Sequence, residues 1–138
     1  MAIGDLNKKE TLVPWEAESS IPRVMHLDKI VDSAEGLGIF LARDLGSPER
    51  ILFLFQLKEL VGYSVVNDSY TWKRSAEREC PGGCSVYIVE GSKDVVRYQE
   101  ETFGVTDMSG AKHYCFILDE EEINVVSFSP PEVSSESV

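Results

Sequence analysis

Two thiols lie four positions apart at Cys80-Pro81-Gly82-Gly83-Cys84. Pro-Gly-Gly between them permits a tight backbone. Such a pair can oxidise together or supply two ligands to a soft metal. A structural zinc site usually wants four ligands, often at CxxC spacing. The other soft ligands in the chain are Cys115, His26 and His113. Nothing in their spacing demands a tetrahedral site. The expectation is no metal and no cofactor, with Cys80, Cys84 and His113 as the alternative metal set. The plainer reading of CPGGC is a Gly-rich loop with incidental thiols. Cys115 alternates with apolar neighbours and reads as a small buried hydrophobe.

No catalytic signature assembles around these residues. The sequence has no GxSxG, HExxH, Walker or GxGxxG pattern. A thiol triad of Cys80 or Cys84 with His113 and an acid has no local motif behind it. Carboxylate neighbours such as Glu121 with Glu122, or Asp28 with Asp32, are not evidence of a glycosidase. That pair is defined by a spatial separation of about 5 to 10 Å, which spacing in sequence does not give. The chain is therefore expected not to be an enzyme.

Acidic residues are the more distinctive surface feature. Asp119-Glu120-Glu121-Glu122 puts four carboxylates on one expected hairpin tip. Such a tip either blocks edge pairing as a solvated turn or docks on a basic cleft. Tyr70 and Trp72 are aromatic anchors of the kind that dominate interface energetics. Those six residues are the candidate partner-binding set. Formal net charge is −11. That balance argues against nucleic acid, whose readers carry a basic footprint, and against an anionic membrane surface. It fits a protein partner with a basic surface, because complementary charge speeds encounter.

The elements that must hold these residues are mostly strands. Arg50 to Tyr70 carries the clearest signal, with apolar runs at Ile51–Phe55 and Val61–Val66. Both are short and rich in β-branched or aromatic residues. Ile51, Phe53 and Phe55 share one face, and Leu52 and Leu54 the other. Neither face is polar, so this strand should be covered on both sides. Further strands are expected at 23–31, with Met25, Leu27, Lys29 and Val31 inward, and at 37–45. With the two apolar runs these form a four-stranded antiparallel meander. Residues 69–83 read as a charged excursion with one helical turn. Strands follow at 85–90, 112–118 and 123–128.

One principal helix is expected near residues 92–103. Ser92 suits its N-cap, Asp94 its first turn and Gly104 its C-terminal stop. Its apolar stripe is Val95, Val96, Gln99 and Phe103. The fold class is α+β: a mainly antiparallel β-sheet of about six or seven strands, a size common among sheets, with that one helix.

The 138 residues, 43% of them hydrophobic, suit one domain at 22–131. Residues 1–21 read as a loosely ordered segment anchored by Trp15. Glu132 to Val138 is Ser/Glu-rich and reads as a disordered tail. Met1 to Glu10 lacks the apolar core of a signal peptide, and no apolar run approaches the roughly 20 residues of a membrane span. Three cysteines without a secretion signal favour a reducing cytoplasm.

Several stretches carry a resemblance: Gly62 to Ser69, Val89-Glu90-Gly91-Ser92, Lys112 to Ile117, Ile123 to Ser127, and Pro130-Pro131-Glu132. Over its second half the chain resembles a loose group of small bacterial proteins, some of which lie beside toxin genes and look like immunity proteins. The resemblance implies a β-rich domain that binds a partner, and it carries no active-site residue. The leading expectation is a non-enzymatic cytosolic interaction module, most concretely an acidic immunity-type inhibitor of a toxin. The alternatives are a small-molecule or metal-binding protein, and a subunit of a larger phage or secretion assembly.

Overall fold

The computed structural model describes residues 9–15, 25–44 and 46–137. Nine strands run through them: β1 (Thr11–Pro14), β2 (His26–Ser33), β3 (Gly36–Ala42), β4 (Glu49–Gln56), β5 (Leu60–Asn67), β6 (Val86–Glu90), β7 (Lys112–Ile117), β8 (Glu121–Ser127) and β9 (Glu132–Ser137). They form a five-stranded sheet, β1-β6-β7-β8-β5, and a four-stranded sheet, β2-β3-β4-β9, with every neighbouring pair antiparallel. Two short α-helices, α1 (Trp72–Ala76) and α2 (Lys93–Glu101), and a 3-10 turn at Asp68–Tyr70 complete the described elements.

The architecture is mainly β, not an α+β domain built on one principal helix. The expected meander breaks after three strands, because β5 crosses to the other sheet. Two strands escape a reading by alternation. β1 is four residues long and ends at a proline. β9 takes its Ser/Glu-rich sequence from an edge position, where its backbone pairs with β4 from Leu54↔Glu132 to Glu49↔Ser137. A ladder supplies backbone hydrogen bonds whatever the side chains, so Glu132–Ser137 of the expected disordered tail is a strand. Of the segment 1–21, only 9–15 falls within the described residues.

The core lies between the sheets. Leu37, Ile39, Leu41, Phe53 and Phe55 of the four-stranded sheet meet Val86, Tyr114, Phe116, Ile123 and Val125 of the five-stranded one. Phe53 and Phe116 pack edge to face at 5.2 Å between ring centres, and Phe55 and Tyr114 at 5.4 Å. Trp15 closes one end against Tyr114 at 5.9 Å. Burying such side chains contributes about 1.5–3 kcal/mol each.

The other face of β4 is not sealed as expected. Leu52 and Leu54 remain partly exposed. In β2 a bulge between Leu27 and Lys29 shifts the register. One extra residue reverses which side chains point inward. Ile30 therefore packs on the core, while Val31 is exposed.

The helix α2 begins as its sequence implies, with the Ser92 hydroxyl accepting from Val95 N–H at 3.1 Å. It ends at Glu101, earlier than the stripe suggested. Phe103 adopts a left-handed φ of 54° and is 96% exposed, so it is no part of the buried face. Val95 and Val96 are buried. Val95 packs with Met108 and Val126 on the outer face of the five-stranded sheet. No described helix is long and apolar enough to cross a membrane.

Candidate functional site

Asn67, at the end of β5, turns the chain. Its side-chain oxygen accepts from Ser69 N–H at 2.9 Å and caps a single 3-10 turn, Asp68–Tyr70. Asp68 N–H donates to Glu120 C=O at 2.9 Å, tying this turn to the β7–β8 connection. Asp68 is thereby joined to the connection that carries Asp119 and Glu120, and with Trp72 and Glu121 it lines one hollow, while Tyr70 lines a separate cleft with Lys73, Arg74, Lys93 and Arg97. Tyr70 is 83% and Trp72 78% exposed. Phe103 is more exposed still, at 96%, so it is their Tyr and Trp type that suits the pair to anchor an interface, and not exposure alone.

The carboxylates lie close enough to act on one another. Partial burial raises the Glu121 carboxyl above its usual range, and the negative charges of Glu120, Asp119 and Asp68 push it the same way. Asp119 also lies 3.4 Å from His26 Nδ1.

The four carboxylates read as one tip do not share it. Asp119 and Glu120 are exposed at the turn, and Glu121 is half-buried at the start of β8. Glu122 is buried on the outer face of the sheet, where Arg78 grips it with two hydrogen bonds, Nη1 to Oε2 at 3.1 Å and Nη2 to Oε1. Strand alternation explains the separation, since successive side chains point to opposite faces.

Glu122 belongs to a buried polar chain. Asn124 Nδ2 donates to Glu122 Oε2 at 3.0 Å, and Asn124 Oδ1 lies 2.7 Å from His113 Nε2. His113 Nδ1 lies 2.7 Å from Ser92 Oγ. These partners assign the tautomer. Nε2–H donates to Asn124, Nδ1 accepts from the Ser92 hydroxyl, and that oxygen in turn accepts from Val95 N–H. Burial holds His113 below the usual histidine range, against the opposing pull of Asp94. Burial alone would raise the Glu122 carboxyl, but hydrogen bonds from Arg78 and Asn124 outweigh it and hold it low. Arg74 joins the edge of the chain, 3.7 Å from Glu10 and 3.4 Å from Asp94.

A hydroxyl on an imidazole is the arrangement of an activated nucleophile. Here both groups are buried, and the serine oxygen is already committed to capping α2. The adjoining cleft, of about 300 Å³, is lined by Glu10, Arg74, Lys93 and Asp94 among others, and not by Ser92 or His113. The chain clamps α2 and the excursion between β5 and β6 onto the sheet.

The cysteine loop sits elsewhere on that face. Cys80 is exposed and Cys84 half-buried, beside a hollow of about 520 Å³ that Tyr87 also lines. The Tyr87 hydroxyl accepts from Cys84 N–H at 3.1 Å, and burial pushes its phenol up to about 12. Both His113 nitrogens are engaged away from the loop, so Cys80, Cys84 and His113 are not brought together. Among the described residues no group of three or more His, Cys, Asp or Glu could hold a metal ion.

No family model matches the chain, and no curated protein or solved structure matches it either.

Sequence reasoning missed the buried polar chain. The signal was present in the strand alternation. His113 and Cys115 share one face of β7, and Glu122 and Asn124 share the facing side of β8. Polar residues at positions due for burial ask for partners.

Proposed function

We propose that the protein is a non-enzymatic interaction module that docks a basic protein through its acidic–aromatic corner, most concretely an immunity-type inhibitor that occludes a toxin's basic cleft. The observation that carries this reading is the Asp68–Glu120 backbone bond, which ties the turn leading into the exposed Tyr70 and Trp72 to the acidic β7–β8 connection. Carboxylates steer encounter at long range, and the aromatics supply contact area once docked. The burial of the Ser92–His113 pair supports binding over catalysis. The odd number of cysteines supports a reducing cytosol as its compartment.

The test is capture of the partner from the native host, followed by association kinetics. Changing Asp119→Asn with Glu120→Gln should slow association more than it speeds dissociation, since rim charges mainly set the on-rate. Added salt should mimic the change, because the screening length shrinks from about 10 Å at 0.1 M to about 3 Å at 1 M. Tyr70→Ala with Trp72→Ala should act on dissociation instead. An on-rate indifferent to salt and to both carboxylates would sink the proposal.

A further inference from the structure

Among the described residues the two antiparallel sheets leave four edge strands, and three of them are guarded. β1 is short, ends at Pro14 and is flanked by the Glu79 segment, whose carbonyl accepts from Leu12 N–H at 2.8 Å. β2 carries Asp28, Lys29 and Asp32 along with its bulge. β9 is polar, with Glu132 and Glu136. Charge, proline, bulges and short length are the devices that stop an edge from templating another strand.

β5 is the exception. Its eight residues, Leu60 to Asn67, include no charge and no proline. Its one bulge, between Leu60 and Gly62, leaves the register regular from Gly62 to Asn67. Val65 is 41% exposed. Among the described residues, no strand other than β8 pairs with it. Its far end runs directly into Asp68 and the acidic–aromatic corner.

We propose that the outer edge of β5 accepts an extended segment of the basic partner as a sixth strand of this sheet. The segment would carry apolar or β-branched residues at alternate positions and Lys or Arg at its ends. This rests on the basic-partner reading and adds where that partner's backbone lies. Charge selects the occupant. Half-buried Glu59, with exposed Lys58 before it, precedes the strand, and exposed Asp68 follows it, so the acidic balance that favours a basic segment is concentrated at the Asp68 end. An antiparallel pairing of two copies of β5 would instead oppose Glu59 of one copy to Asp68 of the other at both ends. Like charges placed opposite one another are unfavourable, and each copy carries a net −11.

The probe is a synthetic peptide, Lys-Lys-Val-Thr-Val-Thr-Val-Lys-Lys, offered to the full chain. Its control carries N-methyl groups on alternate amides, which remove ladder donors and leave every charge in place. The unmodified peptide should bind and slow hydrogen exchange of β5 amides by about tenfold or more, as new strand pairing does. The methylated peptide should do neither. Val65→Lys should weaken binding by about tenfold, since it places a like charge at the edge, while Val65→Thr should not. If Val65→Lys disturbs the melting temperature, Ser64→Lys replaces it. Equal binding of both peptides without protection of β5 would overturn the proposal and leave the corner reading standing. Absence of binding would overturn it as well. So would a concentration-dependent dimer abolished by Val65→Lys, which would assign the edge to a second copy.

Discussion

Arg78 and Glu122, 44 residues apart in sequence, form a two-pronged ion pair on the outer face of the five-stranded sheet, with both side chains almost entirely out of water. Neither could be buried alone. Removing one partner of a buried pair leaves an uncompensated charge, at a cost of about 3–5 kcal/mol. Arg78→Met should therefore unfold at much lower urea than the native protein. Arg78→Met combined with Glu122→Leu should recover only part of that loss, because the buried charge is gone but Asn124 Nδ2 is left without its acceptor, at about 1–3 kcal/mol. Equilibrium urea titrations of the two variants check this.

The same pair dictates part of the acid response. The Glu122 carboxyl is held below 4.5 when folded. Its contribution is therefore complete above that value and is lost as pH falls through the lower folded pKa. His113 acts earlier. Its folded pKa lies below 6.5, so the unfolded chain binds the extra proton first. Stability tied to the neutral imidazole is present above about pH 6.5 and declines as pH drops below it. Between about pH 7 and pH 5 the urea midpoint should fall in the native protein and fall less in His113→Gln. Nitrogen chemical shifts of His113 at neutral pH should report the Nε2–H tautomer.

Phe53 and its neighbour Leu52 should respond very differently to truncation. Phe53 is fully buried and touches both Phe116 and Trp15, whereas Leu52 faces outward and stays partly exposed. Phe53→Ala should cost about 3–5 kcal/mol through lost burial and the cavity left behind. Leu52→Ala should cost clearly less. Similar losses at both positions would contradict the one-sided covering of β4.

The three thiols should separate by reactivity. Cys80 is exposed and Cys84 half-buried, while Cys115 is fully buried with its thiol pushed far above the usual range by burial. Thiolate character and access govern alkylation. Timed iodoacetamide labelling, read by mass spectrometry, should modify Cys80 first and Cys84 next. Cys115 should react only in denaturant.

Much of the strand content was legible because its period was intact. Leu37, Ile39 and Leu41 alternate with smaller or outward residues, and all three face the core. Ser92 announced the start of α2 by its chemistry alone. What stayed hidden depended on partners. Val31 appeared inward because a bulge leaves no mark in a period-two pattern. Glu132 to Ser137 appeared disordered because an edge strand that buries little needs no apolar face. Phe103 matched a helical stripe, but the helix had already ended. At the candidate site, Tyr70, Trp72, Asp119 and Glu120 were singled out by type. Asp68 was not, since its place at the corner comes from a backbone bond to Glu120. A run of four acids looks uniform until alternation splits it, which conceals the burial of Glu122.

The β9 strand closes one side of β4 from far along the chain, and Gln56 meets Glu132 across 76 residues. The β1 strand likewise waits for β6. Neither pairing can be nucleated locally, so each requires closure of a long loop before any of its hydrogen bonds form. Topologies of this kind fold on the order of milliseconds to seconds. During that interval the Ile51–Phe55 run has one flank unpaired, which makes it the segment through which a refolding chain would capture its neighbours. Refolding yield should therefore fall as protein concentration rises, even where the native state is stable.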